Sequence, residues 1–228
     1  MTNFKRTEQS DFYGKEYAAR QVLTQKISGL ADARKFKSLI STKNKSILDF
    51  GSGPGNIIFN LDGNEKAAVE PNSIHHKILI NNNVRVFDST EDACNKLGPN
   101  YFDTIVSNHC LEHVLDPVNE IRNLYFLLKP GGNILLFVPF EGLNTKYIDD
   151  DVNSHLYTWS PRNLGNLFME ASNWNITKVD KYLPKWPPFY WVFFKMGWRV
   201  FDMLSFFYGH VSKSPSQVFI LAQKPHEN

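Results

Sequence analysis

Short apolar runs alternate with helical patterns from residue 45 onward, which predicts a sheet built from separated strands. Five runs have the length and composition of strands, at residues 47–50, 66–70, 84–87, 102–107 and 133–139. Between the last two, apolar residues recur every three or four positions from Val118 to Leu128. Pro117 precedes this stretch, and proline is well tolerated in a first helical turn. Apolar strands that alternate with helices are typical of a parallel sheet covered on both faces.

Two further strands are predicted near the end of the chain, at residues 176–183 and 217–223. With right-handed crossovers, the pattern predicts a doubly wound α/β sheet, whose ligands bind at the carboxyl ends of the strands. Neither an internal repeat nor a linker is visible, so we expect one domain over residues 1–228. Residues 1–43 read as one or two helices without evident chemistry.

The composition narrows the class of protein. Hydrophobic residues make up 42% of the chain and charged residues 21%, as expected of a folded domain. A net charge of +2 is too weak to indicate a nucleic-acid partner. Two cysteines exclude a disulfide scaffold, and the start of the chain does not resemble a signal peptide. We therefore expect a cytoplasmic protein, with peripheral membrane contact left open.

A glycine-rich loop follows the first predicted strand in the sequence ILDFGSGPGN. Gly51 and Gly53 would permit a sharp turn and close approach of a ligand to the backbone. The N–H groups at the start of a following helix would favour an anionic group. Glu70 ends the next strand, where a carboxylate can accept hydrogen bonds from both hydroxyls of a ribose. The pattern therefore predicts a nucleoside-containing cofactor.

Two classes of cofactor use this arrangement. Nicotinamide and flavin cofactors carry a pyrophosphate, and their fingerprint is G-x-G-x-x-G. Here the glycines are Gly51, Gly53 and Gly55, and position 56 is Asn. Asp49, just before the loop, would repel a pyrophosphate but would suit a sulfonium. The glycine spacing and Asp49 therefore disfavour a nicotinamide-dependent oxidoreductase.

The segment from Asp49 to Gly55 resembles motif I of the class I S-adenosylmethionine-dependent methyltransferases. Glu70, Asp88 and the stretches FDTIVSNHCLEHVLDP and LLKPGGNILLFVP resemble later motifs of the small-molecule branch of that family. The resemblance spans about residues 45–175 and implies a seven-stranded Rossmann-like sheet whose last strand is antiparallel. It implies S-adenosylmethionine as cofactor and S-adenosylhomocysteine as product. The residues that it implies for cofactor binding are Asp49, Gly51, Ser52, Gly53, Gly55, Asn56, Glu70, Pro71, Asp88, Ser89, Asn108 and His109.

Methylation of a hydroxyl benefits from a general base. The candidates are His109, His113, Glu141 and His155, of which His109 and His155 are our predicted catalytic residues. His109, Glu112 and His113 also match H-x-x-E-H, a zinc-protease pattern, but the predicted helix is too short for that chemistry.

Two further stretches of the sequence argue against a metal site and against a nucleic-acid substrate. Asp149 to Asp151 are typical of a solvated loop, and we expect no metal. Enzymes that methylate exocyclic base amines usually have Asn-Pro-Pro-aromatic after the fourth strand, where this chain has Ser107-Asn108-His109-Cys110.

Residues 184–213 form an aromatic insertion before the last predicted strand. If the insertion were one helix, Lys195, Arg199 and Asp202 would share a narrow charged face in an otherwise apolar surface. Three interpretations remain open: a lid over an acceptor pocket, a homodimer surface, or contact with a membrane interface.

These observations predict O-methylation of a small-molecule acceptor that is apolar, lipid-linked or a glycan intermediate. The main alternative is a non-catalytic cofactor-binding or scaffold protein with a methyltransferase fold. A nicotinamide-dependent oxidoreductase is a second alternative, which the sequence favours less.

Overall fold

Seven strands form a single sheet in the computed structural model, which describes residues 28–141, 145–147, 149, 154–212 and 217–226, without the side chain of Trp191. Six of the predicted strands agree with the structure to within one residue. The fifth begins at Leu128 instead of residue 133, because the strand runs on through Pro130-Gly131-Gly132. The strands are β1 Ser46–Phe50, β2 Glu65–Val69, β3 Arg85–Phe87, β4 Phe102–Asn108, β5 Leu128–Pro139, β6 Asn175–Tyr182 and β7 Gln217–Gln223.

The strand order is β3-β2-β1-β4-β5-β7-β6. β1 pairs in parallel with β2 and β4, β2 with β3, and β4 with β5. β7 is antiparallel to both β5 and β6. The structure thus confirms the doubly wound Rossmann-like sheet with an antiparallel last strand. The carboxyl ends of β1, β2, β3 and β4 lie side by side, where such sheets bind ligands.

Helices cover both faces of the sheet. Because neighbouring residues of a strand point to opposite faces, Leu48 packs in one hydrophobic core while Ile47 packs in the other. α4 begins at Pro117 as predicted, and the Asp116 side chain caps its first turn by accepting from the Asn119 N–H. The helices are α1 28–39, α2 His76–Asn81, α3 Thr90–Leu97, α4 Pro117–Leu127, α5 Pro161–Ala171, α6 Tyr190–Lys195 and α7 Trp198–Ser212.

The loop after β1 differs from the prediction. Instead of the helix expected to follow the glycine-rich loop, the chain forms turns and a single 3-10 turn at Ile58–Asn60. The next residues, Asp62 and Gly63, favour a turn, so too few residues remain to sustain helical hydrogen bonding. The expected helix N-terminus is therefore absent from this described loop, and any ligand there would meet loop backbone.

The aromatic insertion contains two helices separated at Gly197, which has φ +101°. The prediction that Lys195, Arg199 and Asp202 share one helical face is therefore wrong, because Lys195 belongs to α6 and the other two to α7. No helix in the described part of the chain is long and apolar enough to cross a membrane. Residues 1–27 of the predicted N-terminal helical segment and Lys213 of the aromatic insertion lie outside the described residues.

Candidate active site

A cavity of about 110 Å³ lies at the carboxyl ends of β1 to β4. Of the residues predicted to bind the cofactor, seven line it: Gly51, Gly53, Glu70, Pro71, Asp88, Ser89 and His109. The other five are not among its lining residues: Asp49, Ser52, Gly55, Asn56 and Asn108. Asn72, His75, Cys110, His113 and Glu120, which were not predicted for the cofactor, complete much of the polar wall.

Glu70 joins two loops at the floor of this cavity. Its Oε2 accepts from the Gly53 N–H at 2.7 Å, and its Oε1 accepts from the Asn72 N–H at 2.8 Å. Burial raises the pKa of Glu70, while these two N–H donors act in the opposite direction. Each carboxylate oxygen keeps a second lone pair, so Glu70 can accept further hydrogen bonds from a ligand hydroxyl.

Asp49 lies in β1 directly before the glycine loop and is almost fully buried. Burial and the nearby carboxylate of Glu70 raise the pKa of Asp49 to about 7. Its Oδ2 makes no hydrogen bond with any described residue. Asp49 therefore supplies an incompletely satisfied carboxyl group near the loop without lining the cavity itself.

Gly51 brings the glycine loop against the segment that follows β4. Its φ is +74°, and a Cβ at this position would overlap Sγ and Cβ of Cys110. Both the backbone conformation and the close contact therefore require glycine. The loop and Cys110 form adjacent parts of the same cavity wall.

The far end of the cavity is formed by the start of α3. Ser89 caps this helix by accepting from the Asp92 N–H, and the adjacent Asp88 keeps a largely exposed carboxylate. The Thr90 hydroxyl donates to Glu120 at 2.7 Å, which fixes a second carboxylate in the wall.

The charges of the wall fit a cationic cofactor. Glu70, Asp88 and Glu120 contribute three carboxyl groups, whereas no lysine or arginine is among the described lining residues. Such a wall would repel a pyrophosphate, and it is compatible with a sulfonium and ribose hydroxyls. The orphaned Oδ2 of Asp49 adds to this preference for a cation.

A second cavity, of about 650 Å³, adjoins the first, and His109 lines both. Its wall combines aromatic side chains, among them Trp186 and Phe201, with the basic residues Arg34, Lys35 and Lys185. α1, the ends of β4 and β7, and α7 contribute the wall.

Lys35 is a buried residue of this cavity that the sequence analysis missed. Its Nζ donates to Asn108 Oδ1 at 2.8 Å and to Gln217 Oε1 at 3.1 Å, and lies 3.1 Å from Asp32 Oδ1. Burial lowers the pKa of Lys35, and Asp32 opposes that effect. The helical pattern of α1 does not indicate this role, because the hydrogen-bond partners of Lys35 lie in β4 and β7, which are far from α1 in the sequence.

His109 has a positive φ of 55° and is held by strand β7. The Gln217 side-chain amide lies 2.5 Å from His109 Nε2. Because Gln217 Oε1 accepts from Lys35, its NH₂ group faces the histidine and donates to Nε2. Burial, with the nearby charges of Lys35, His155 and His113, lowers the pKa of His109 to about 3. The ring is therefore neutral, with its one lone pair engaged.

Glu112 is fully buried and was missed as a site residue. Three imidazoles surround its Oε1, at 3.7 Å for His109 Nδ1, 3.8 Å for His113 Nε2 and 4.0 Å for His155 Nε2. Burial raises the pKa of Glu112 to about 8. The H-x-x-E-H pattern of residues 109–113 is the signal in the sequence that contains Glu112.

The structure also shows why that pattern does not form a protease site. Residues Leu111–His113 make a single 3-10 turn instead of a sustained helix. His155, which also lies near Glu112, comes from outside the motif. His155 Nδ1 is 2.5 Å from Glu141 Oε1, and its ring packs edge-on against His113. Of the three aspartates at 149–151, Asp149 is exposed, and Asp150 and Asp151 lie outside the described residues.

Comparison with known proteins agrees with this geometry. Residues 20–179 match the model of a methyltransferase domain family. The chain therefore belongs to that family and is an S-adenosylmethionine-dependent methyltransferase. No curated protein matches the sequence.

Solved structures share the fold at low sequence identity. An S-adenosylmethionine-dependent methyltransferase of Thermotoga maritima, named as a possible histamine N-methyltransferase, is 17% identical, with 95% of this chain and 100% of that chain covered and a TM-score of 0.66. The Burkholderia thailandensis 1,6-didemethyltoxoflavin-N1-methyltransferase with bound S-adenosylhomocysteine is 17% identical, with 95% and 86% covered and a TM-score of 0.63. Phosphoethanolamine N-methyltransferase 2 of Haemonchus contortus with S-adenosylmethionine is 17% identical, with 96% and 60% covered and a TM-score of 0.63.

Proposed function

We propose that this methyltransferase O-methylates a small molecule with an apolar or lipid-linked part, such as a glycan intermediate, which binds in the second cavity. The observation that carries the proposal is that His109 lines both cavities. A cofactor in the first cavity and an acceptor in the second would meet at this side chain. Transfer from a sulfonium requires chiefly that the nucleophile be held in line with the methyl group.

The first cavity would hold the cofactor through groups already in place. Glu70 would accept from the ribose hydroxyls, and the backbone of Gly51 and Gly53 would contact the methionine part. Asp88 and Ser89 would flank the adenine, beside Pro71. S-Adenosylmethionine supplies an already activated methyl group. The remaining predicted residues would act indirectly, because they shape the loop or lie behind the wall: Asp49, Ser52, Gly55, Asn56 and Asn108.

The second cavity suits an acceptor with both polar and apolar parts. Lys185 can bind anionic or hydroxyl groups, whereas Arg34 is already paired with Asp202 at 2.8 Å, and Trp186 and Phe201 supply apolar surface. The outer side of α7 is also apolar and exposed, with Phe207 57% accessible. A face of this kind fits the interfacial layer of a membrane, where the lipid part of an acceptor would lie.

The acceptor hydroxyl must lose a proton. His109 is close enough to both cavities, but its lone pair already accepts from Gln217. His155 has the carboxylate partner that orients a base, Glu141, but lines neither cavity. We therefore assign removal of the proton to the cluster of Glu112, His113, His155 and Glu141, of which His113 reaches the first cavity.

The test is transfer of a labelled methyl group to hydroxylated acceptors, presented free in water and in phospholipid vesicles. We expect a methyl ether on an apolar or lipid-linked acceptor, identified by mass spectrometry. Trp186→Ala should raise the KM for this acceptor at least tenfold, about 1.4 kcal/mol, and leave the Kd of S-adenosylmethionine unchanged.

Phe126→Ala is the matched control, since Phe126 is similarly exposed on α4 but lines neither cavity. A product methylated on nitrogen or carbon, or equal loss in both variants, would contradict the proposal.

A further inference from the structure

Three potential metal ligands from two separate segments meet beside the first cavity. Glu112 and His113 follow β4, and His155 lies between β5 and α5. One ligand atom of each lies within 4.8 Å of the other two. Two atoms bound to one ion at about 2.1 Å can be at most about 4.2 Å apart. The distances of 3.8 and 4.0 Å from Glu112 Oε1 to the two imidazoles satisfy this limit.

The carboxyl group of Glu112 accepts no hydrogen bond from another residue in the described part of the chain. The residue is 0% exposed, and neither carboxylate oxygen has a hydrogen-bond partner from another described residue. A buried carboxyl group left in this state is costly, so native proteins normally satisfy it. A neutral acid bonded to an imidazole would show an O···N distance near 2.7 Å, but the shortest here is 3.7 Å. Both imidazoles therefore lie near Glu112 without a hydrogen bond to its carboxyl group.

The surroundings also resemble those of a metal-binding histidine. His155 Nδ1 is bonded to Glu141 Oε1, so the proton lies between these atoms and the Nε2 lone pair faces Glu112. Metal-binding histidines commonly donate their second ring nitrogen to a carboxylate in this way. The backbone N–H of Leu156 donates to the Glu112 carbonyl oxygen at 2.9 Å, which ties the two segments together.

We propose that Glu112, His113 and His155 bind a divalent transition-metal ion. One carboxylate and two imidazoles suit Zn²⁺, Co²⁺ or Mn²⁺, whereas Mg²⁺ and Ca²⁺ prefer oxygen ligands alone. Because the Gln217 amide donates to His109 Nε2, the ring hydrogen of His109 is on Nδ1, which faces Glu112, and His109 is not a ligand. Three protein ligands leave a coordination position open for a further oxygen.

The position of the ion gives it a use in methyl transfer. His113 lines the first cavity, and His109, 3.7 Å from Glu112 Oε1, lines both cavities. An acceptor hydroxyl on the open position would release its proton to water more readily, because a bound cation stabilises the alkoxide. This use rests on the proposed O-methylation, whereas binding of the ion does not. Glu112, His113 and His155 then assist loss of the proton as ligands of the ion and not as free bases.

The experiment is titration of the chelator-treated full chain with Co²⁺ and Zn²⁺, without cofactor or acceptor. We expect one equivalent of Co²⁺ to give a visible absorption spectrum and Zn²⁺ to raise the Tm. Glu112→Gln should abolish both responses without lowering the Tm of the metal-free protein, since it replaces a buried carboxyl group that accepts no hydrogen bond from another described residue. Glu141→Gln should weaken binding about 10- to 100-fold.

His210→Gln and Glu170→Gln are the matched controls, because both residues are exposed and far from the cluster in sequence. They should bind the ion as the wild type does. If Glu112→Gln does not fold, His155→Gln replaces it, as His155 is partly exposed. The absence of binding in the wild type, or equal binding by a cluster variant, overturns the site. Binding of the ion without any methyl ether product contradicts only the proposed function.

Discussion

The ammonium group of Lys35 donates to Oε1 of Gln217, and this bond determines which end of the amide faces His109. Residues of α1 and β7, at opposite ends of the described chain, thereby fix which ring nitrogen of His109 carries the hydrogen. The neutral form with hydrogen on Nδ1 is the one compatible with a donor at Nε2. Lys35 and Gln217 are therefore positioning residues for the wall between the two cavities.

Replacement of Gln217 should disturb this wall without affecting the cofactor. In Gln217→Leu, His109 loses the donor that holds its ring, and Lys35 loses one of its acceptors. We expect kcat/KM for the acceptor to fall at least tenfold, about 1.4 kcal/mol, with little change in the Kd of S-adenosylmethionine. Gln223→Leu is the control, since Gln223 lies on the same strand but bonds to Gly131. Comparable losses in both variants would show that β7 matters only for folding.

Glu70→Gln tests the role of the carboxylate in cofactor binding. The amide NH₂ group would face either the Gly53 or the Asn72 N–H, so one buried donor loses its acceptor. Calorimetry should show the Kd of S-adenosylmethionine raised at least tenfold, about 1.4 kcal/mol. Glu65→Gln, at the exposed start of β2, the strand that Glu70 follows, should bind normally. Unchanged affinity in Glu70→Gln would remove this residue from the cofactor site.

Gly51→Ala separates backbone strain from steric contact. Both Gly51 and Gly98 have φ +74°, but a Cβ on Gly98 would meet open space, whereas one on Gly51 would overlap Cys110. Strain alone costs about 1–3 kcal/mol, and we expect both variants to lose stability in urea. Only Gly51→Ala should also weaken cofactor binding, because the loop must move away from Cys110. Equal cofactor affinity in the two variants would mean that the loop contact is unimportant.

The ionisation of Asp49 should make the stability of the cofactor-free protein depend on pH. Because its pKa is raised from 3.8 to about 7, the folded protein retains a proton that the unfolded chain has lost. The free energy of unfolding should therefore fall as the pH rises from about 4 to 7. Asp49→Asn should show a shallower fall, with Glu70 supplying part of what remains, since burial raises its pKa too.

Denaturant unfolding at several pH values measures this difference. Asp180→Asn, at an exposed position of β6, is the control and should follow the wild type. Parallel curves for wild type and Asp49→Asn would show that Asp49 is already ionised in the folded protein.

The sheet could be predicted because each strand is indicated by a few consecutive residues of the sequence. Each strand of the parallel core contains a short apolar run, and four of the five end at or directly before a glycine, proline or acidic residue. The bounds of the strands and the position of the site could therefore be inferred. The seven predicted residues that line the first cavity all follow, or end, one of β1 to β4. Glu70 was recognisable for the same reason.

The second cavity and the Glu112 cluster depend on contacts between distant segments. The sequence around Lys35 is typical of a solvated helical residue. Its hydrogen-bond acceptors, Asn108 and Gln217, are 73 and 182 positions away. Glu112 meets His155 across 43 positions that include α4 and β5, so no spacing rule links them. The division of the aromatic insertion into two helices at Gly197 could not be predicted either, because apolar residues continue on both sides of this glycine.

The bridge that Glu70 makes between Gly53 and Asn72 affects the thermodynamics of cofactor binding. Fixing the backbone of a residue costs about 1–2 kcal/mol of conformational entropy. Here the two loops are joined during folding, so a ligand that enters between them does not bear that cost. The site is preorganised, and most of the contact energy can appear as affinity. Binding should accordingly be accompanied by a small heat-capacity change, as expected when little additional surface is ordered.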